Sequence, residues 1–146
     1  MVTLIWVLKM EKTYANKIMK KLLIILLLPL ITFAQKEVIV NINTDTYPTE
    51  TRWVLHADSL NGPILDNVSY GYYTSANTSY LDTFYIPDSL SNVTFAIYDS
   101  YGDGMNGSYY VSICDDTIIS VGSPSFTNGL YYNRSIPTCQ PNPPPT

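Results

Sequence analysis

Residues 93 to 107 read Val93-Thr94-Phe95-Ala96-Ile97-Tyr98-Asp99-Ser100-Tyr101-Gly102-Asp103-Gly104-Met105-Asn106-Gly107. The first half alternates. Val93, Phe95 and Ile97 fall on one face of an extended chain and Thr94, Ala96 and Tyr98 on the other, the period of two that marks a β-strand. The second half cannot continue that strand, because Gly102, Gly104 and Gly107, with Asp103 and Asn106 between them, are turn formers. A further strand signal begins at Ser108. One stretch therefore spells strand, tight polar loop, strand.

The same grammar extends in both directions. Val38, Val40 and Ile42 alternate with Ile39, Asn41 and Asn43, and Trp53, Leu55 and Ala57 alternate with Arg52, Val54 and His56. Asn61-Gly62 is a hairpin-type turn signal before a third strand over 64–70. Further strands are expected over 79–86, 93–99, 108–114, 117–121 and 130–136, separated by Gly, Pro, Asn and Asp clusters. No helical period is sustained after Gln35, and the wealth of Tyr, Thr, Val and Ile suits sheet. About eight short strands at this spacing predict an all-β, antiparallel β-sandwich of jelly-roll or CUB-like type.

Ahead of this domain, Met19-Lys20-Lys21 precedes an apolar run over 22–33 and a Thr32-Phe33-Ala34 cleavage box. That is the layout of a signal peptide. The run is too short for an ordinary transmembrane helix, which needs about 20 apolar residues. Residues 1–34 are thus expected to be an export segment containing a signal-peptide helix over 19–34, with Met19 as the biological start. The mature form would be secreted and free of a membrane span, with its β-sandwich over 35–138. The tail over 139–146 is proline-rich and, lacking amide donors, is expected to be extended and exposed. It reads as a linker from a larger secreted protein. Export also makes a disulfide between Cys114 and Cys139, the only cysteines, the simplest expectation.

The whole chain carries a net charge of −4, but from Gln35 onward 3 basic residues face 11 acidic ones, a net of −8. So acidic a domain lacks the clustered Lys and Arg that nucleic-acid binding requires. Part of the acidity is local. Asp99 continues the face of Val93, Phe95 and Ile97, so its carboxylate points toward the core edge and needs compensation. Either a bound cation or the backbone amides of the turn can supply it. Calcium takes six to eight oxygens, and a glycine-rich turn lets several converge. Asp99, Asp103, Asn106 and the backbone carbonyl of Met105 are the candidate ligands, with Asp45 or Glu50 of the second acidic segment, Asp45-Thr-Tyr-Pro-Thr-Glu50, completing the shell. An EF-hand is rejected, because Tyr101 and Tyr110 occupy loop positions 3 and 12.

The paired patterns Asp45-x-Tyr47-Pro48-x-Glu50-x-x-Trp53-x-Leu55 and Asp99-Ser-Tyr-Gly-Asp-Gly-Met-x-Gly107 resemble a β-sandwich module of secreted and surface proteins of Bacteroidota. The resemblance spans about 38–136 and implies a module that accompanies proteases, adhesins and other exported proteins. The Tyr-Pro and Trp-x-Leu elements are also similar to CUB domains, calcium-dependent extracellular sandwiches, although their early cysteine pair is absent here.

Tyrosine is abundant, with 13 in the chain. Clusters at 70–73, 109–110 and 131–132 make Tyr72, Tyr73, Tyr110 and Tyr132 candidates for stacking on sugar rings, the alternative being that they pack the sheets. The sole histidine, His56, has no identifiable catalytic companion, so no catalytic residue is assigned. The expectation is a non-catalytic, calcium-stabilised binding or adhesion module for carbohydrate or an extracellular protein. The alternatives are a structural spacer or a small glycoside-acting enzyme using two carboxylates.

Overall fold

The computed structural model describes residues 35–139, so the expected export segment and the tail beyond Cys139 lie outside the described residues. Among the described residues eight strands form: β1 (Gln35–Asn43), β2 (Thr51–Ala57), β3 (Ile64–Val68), β4 (Ser79–Pro87), β5 (Asn92–Asp99), β6 (Ser108–Ile113), β7 (Asp116–Gly122) and β8 (Gly129–Ser135). A 3-10 turn, Pro48–Glu50, precedes β2. Two four-stranded antiparallel sheets result, a first in the order β4-β1-β6-β7 and a second in the order β3-β2-β5-β8. The expected antiparallel β-sandwich is the fold found.

β1 begins three residues before its hydrophobic alternation does. Lys36 shares the inward parity of Val38, yet it is buried because its ammonium pairs with Asp88 at 3.1 Å and donates to the Asp88 carbonyl at 3.0 Å. A buried cation held by a carboxylate and a carbonyl extends the strand where an apolar reading stops. β3 ends at Val68, and the tyrosines that follow belong to the connection into β4.

The inward residues of both sheets meet between them. Trp53 and Phe95 of the second sheet pack with ring centroids 5.9 Å apart. Trp53 also stacks on Phe84 of the first sheet at 6.0 Å, and Phe95 meets Tyr109 of the first sheet at 5.9 Å. Around them Val38, Val40, Ile42, Leu55, Val93, Ile97, Val111 and Ile113 are fully enclosed. Burying such side chains supplies about 1.5–3 kcal/mol each, the term that offsets chain entropy in a small sandwich.

The sheet orders carry a topological two-fold. Replacing each of β1 to β4 by the strand four places later, and each of β5 to β8 by the strand four places earlier, turns the first sheet's order into the second's. The β1–β2 and β5–β6 connections are equivalent under this exchange. Because Asn43 pairs with Ser108 and Thr51 pairs with Asp99, both connections emerge at the same end of the sandwich.

At the β6–β7 hairpin, Cys114 and Asp115 both adopt positive φ, as a two-residue type I′ turn requires. Cys114 is disulfide-bonded to Cys139, 25 residues later, with Cα atoms 5.3 Å apart. The bridge fastens the chain's exit from β8 to the opposite sheet.

Candidate metal centre

Each acidic connection is built on an Asx turn. In the first, Asp45 Oδ1 accepts the N–H of Tyr47 at 2.8 Å. Pro48 then opens the 3-10 turn, which is closed by the Glu50 N–H donating to the Tyr47 carbonyl at 3.1 Å. In the second, Asp99 Oδ1 accepts the N–H of Tyr101 at 2.9 Å. Asp45-Thr46-Tyr47 and Asp99-Ser100-Tyr101 are thus the same device at the two equivalent connections. The short repeat Asp-Thr/Ser-Tyr is visible in the sequence, but only the topology reveals that its copies lie at the same end of the sandwich.

The two connections are cross-linked by one backbone–backbone hydrogen bond and one from backbone to side chain. Ser100 donates its N–H to the Glu50 carbonyl at 3.0 Å, and Asn106 donates its N–H to Asp45 Oδ2 at 3.1 Å. Glycines let the second connection pack tightly against its neighbours, Gly104 against the β7–β8 connection and Gly107 against the end of β1. Gly104 has φ +89°, and a Cβ there would stand 2.9 Å from the Pro124 carbonyl oxygen. A Cβ on Gly107 would run into the carbonyl of Asn43.

Here Glu50, Asp99 and Asp103 each present a carboxylate oxygen, and these oxygens lie within 4.8 Å of one another. Asp99 is 6% exposed, as its inward parity requires, while Asp103 is exposed and Glu50 half-buried. Partial desolvation first, then the charges of Asp99, Asp103 and Asp45, raise the Glu50 carboxyl above its ordinary pKa. Acid groups held this close repel one another unless a proton or a cation intervenes.

Asp99 also has the other form of compensation. Its Oδ2 accepts the N–H groups of Asp103 at 3.1 Å and Gly104 at 2.7 Å, besides the Tyr101 bond to Oδ1. Three of the roughly four lone-pair sites of a carboxylate are therefore used by the turn itself. The turn's own amides are thus the compensation that holds Asp99, which anchors the loop and keeps one lone-pair site unused beside the Glu50 and Asp103 carboxylates.

The other expected ligands are placed differently. Glu50 joins the carboxylate group, whereas Asp45 spends both oxygens on the N–H groups of Tyr47 and Asn106 and lies outside it. Asn106 is exposed at the rim of the loop. Met105 turns its side chain into the core, with its N–H bonded to the Pro124 carbonyl at 3.0 Å.

The expected tyrosine platform is corrected by the structure. Tyr73 is 0% exposed. It lies in the β3–β4 connection rather than on a strand and folds between the sheets. There its hydroxyl accepts from Trp53 Nε1 at 2.7 Å and donates to Asp82 Oδ2 at 2.9 Å. Burial raises its phenol pKa strongly. Tyr132 pairs with Phe95 on the core side of β8 and accepts a hydrogen bond from the Tyr109 hydroxyl at 2.9 Å. Tyr110 is half-buried on the outward face of the first sheet, beside Asn41, and Tyr72 is exposed in the β3–β4 connection. These four residues form no common surface. His56 faces outward from β2, with Nδ1 3.1 Å from the Gly62 carbonyl.

Comparison with known proteins gives no match to any protein-family model, to any curated protein or to any solved structure.

Proposed function

We propose that this chain is a secreted, non-catalytic β-sandwich module that binds carbohydrate or another extracellular protein, with its loop end stabilised by calcium. The observation that carries the metal is the convergence of Glu50, Asp99 and Asp103 within 4.8 Å on two connections already joined by the Ser100–Glu50 backbone hydrogen bond and the Asn106–Asp45 bond. Three carboxylates are hard oxygen donors of the kind calcium prefers. Glu50, Asp103 and the remaining lone-pair site of Asp99 would hold the ion. The Met105 carbonyl, Asn106 and water would fill the remaining positions, and Asp45 would brace the loop from outside the shell. The ion supplies the positive charge that lets three acids share one site, and so makes the two connections a rigid rim. The Cys114–Cys139 bridge is compatible with an oxidising, extracellular setting.

A second reading, a purely structural spacer, is favoured by the three amides that already satisfy Asp99, since the loop closes on hydrogen bonds alone. A glycan array and a panel of extracellular matrix proteins separate the two: a binding module retains specific members of a panel, and a spacer retains none. Release of reducing sugar from a polysaccharide, lost in Asp103→Asn, would overturn both in favour of a glycoside-acting enzyme.

A further inference from the structure

Three cations lie in the chain from Gln35 onward: Lys36, Arg52 and Arg134. Lys36 has Asp88 as its counter-ion, and Arg134 donates to the carbonyls of Ile118 and Asn133. Among the described residues Arg52 has neither an ion pair nor a backbone carbonyl as acceptor, and its Nε is buried with no hydrogen-bond partner. It stands on the outward face of the second sheet, paired across β2 and β5 with Tyr98. Aromatic faces hold it instead. Its guanidinium carbon lies 4.4 Å from the Tyr98 ring centroid and 5.4 Å from that of Tyr70. Tyr131 continues the row, its ring meeting Tyr98 edge-on at 5.8 Å. Tyr70 is 44% exposed and Tyr131 51% exposed, so the cation lies in a row of aromatic rings flanked by two open ones.

We propose that Tyr70, Arg52, Tyr98 and Tyr131 form a binding platform for a pyranose bearing a single carboxylate, such as a uronic acid unit. This rests on the carbohydrate branch of the function proposed above and names its surface and ligand chemistry. A guanidinium held by π faces has its charge stabilised, and with Nε buried it is the two terminal Nη groups that remain for a ligand, a pair whose geometry a carboxylate fits end-on. The apolar face of a pyranose ring lies flat on an exposed tyrosine, so the open rings of Tyr70 and Tyr131 suit a ring on either side of the charged unit. The net charge of −8 from Gln35 onward disfavours a polyanion. Beyond about 8 Å physiological salt screens that charge, so one carboxylate at Arg52 feels mainly the local cation.

The test is titration of the purified protein with methyl glucuronoside, methyl glucoside and a glutamate-containing tripeptide, followed by amide chemical shifts and calorimetry. Arg52→Met, which keeps an apolar stem, and Tyr131→Ala are compared after melting curves establish that each is folded. The glucuronoside is expected to bind about tenfold or more tightly than the glucoside, a preference erased in Arg52→Met. Tyr131→Ala should weaken it severalfold, and the shifts should map to β2, β5 and β8. Equal binding of the two sugars, preference for the tripeptide, or a glucuronoside affinity untouched by Arg52→Met would each overturn the proposal. Neutral glycans bound elsewhere on the protein would leave the binding-module reading standing while removing this one. Failure of every glycan and every protein on the panel would remove both.

Discussion

The backbone carbonyl of Glu50 accepts the N–H of Ser100 at 3.0 Å, immediately beyond the last paired residues of β2 and β5. This bond is indifferent to side chains. It fixes the Glu50 and Asp99 backbones next to each other, so their carboxylates meet because the sheet ends there. Acids brought together by topology, against their own repulsion, are a source of instability that pH, mutation and metal should each expose.

Acidity gives the first expectation. The Glu50 carboxyl titrates above its unfolded value of about 4.5 because of desolvation and its acidic neighbours, so in the window just above that value the native state binds more protons than the unfolded state. Stability must then fall as pH rises through this window. In chelator, the melting midpoint should increase as pH is lowered from about 7 toward 5, and Glu50→Gln should flatten that slope. A wild-type midpoint that drops on mild acidification, with the same profile in Glu50→Gln, would contradict it.

Asp99 and Asp103 should differ sharply in importance when metal is absent. Asp99→Ala strands the N–H groups of Tyr101, Asp103 and Gly104, and urea unfolding in chelator should show a loss of about 2–5 kcal/mol. Asp103 is exposed, so Asp103→Asn should change chelated stability by no more than about 0.5 kcal/mol in either direction. Equal losses in the two variants would mean that Asp99 does not anchor the turn.

Tyr73→Phe removes one oxygen and leaves the Trp53 indole N–H buried without its acceptor. The expected cost is about 1–3 kcal/mol in urea unfolding, with a change in the near-ultraviolet dichroism of Trp53. An unaltered midpoint would show that the hydroxyl bridge between the sheets is dispensable.

Much of this architecture is legible in the residues. All eight strands follow from alternation and turn chemistry, and the inward parity of Asp99 is read correctly from Val93, Phe95 and Ile97. What local pattern cannot supply is the pairing of β2 with β5 and of β1 with β6, and this alone decides that Glu50 joins Asp99 while Asp45 binds the N–H of Asn106. Tyr73 escapes a strand-based reading because it sits in a connection, where side-chain direction is set by tertiary packing rather than by a period of two. Lys36 hides the start of β1 for a related reason: its counter-ion Asp88 lies 52 residues away. The clustering of Arg52, Tyr98 and Tyr131 on one face likewise needs the register between three strands.

The most direct test of the calcium claim is the melting midpoint in chelator against millimolar calcium, for the wild type and for Glu50→Gln/Asp103→Asn. With a dissociation constant near those of extracellular modules, about 0.1–1 mM, 5 mM calcium should stabilise the fold by about 1–2 kcal/mol and raise the midpoint by at least about 4 °C. The double variant should show no such rise. An unchanged wild-type midpoint, or an equal rise in the double variant, would contradict a calcium site at Glu50, Asp99 and Asp103.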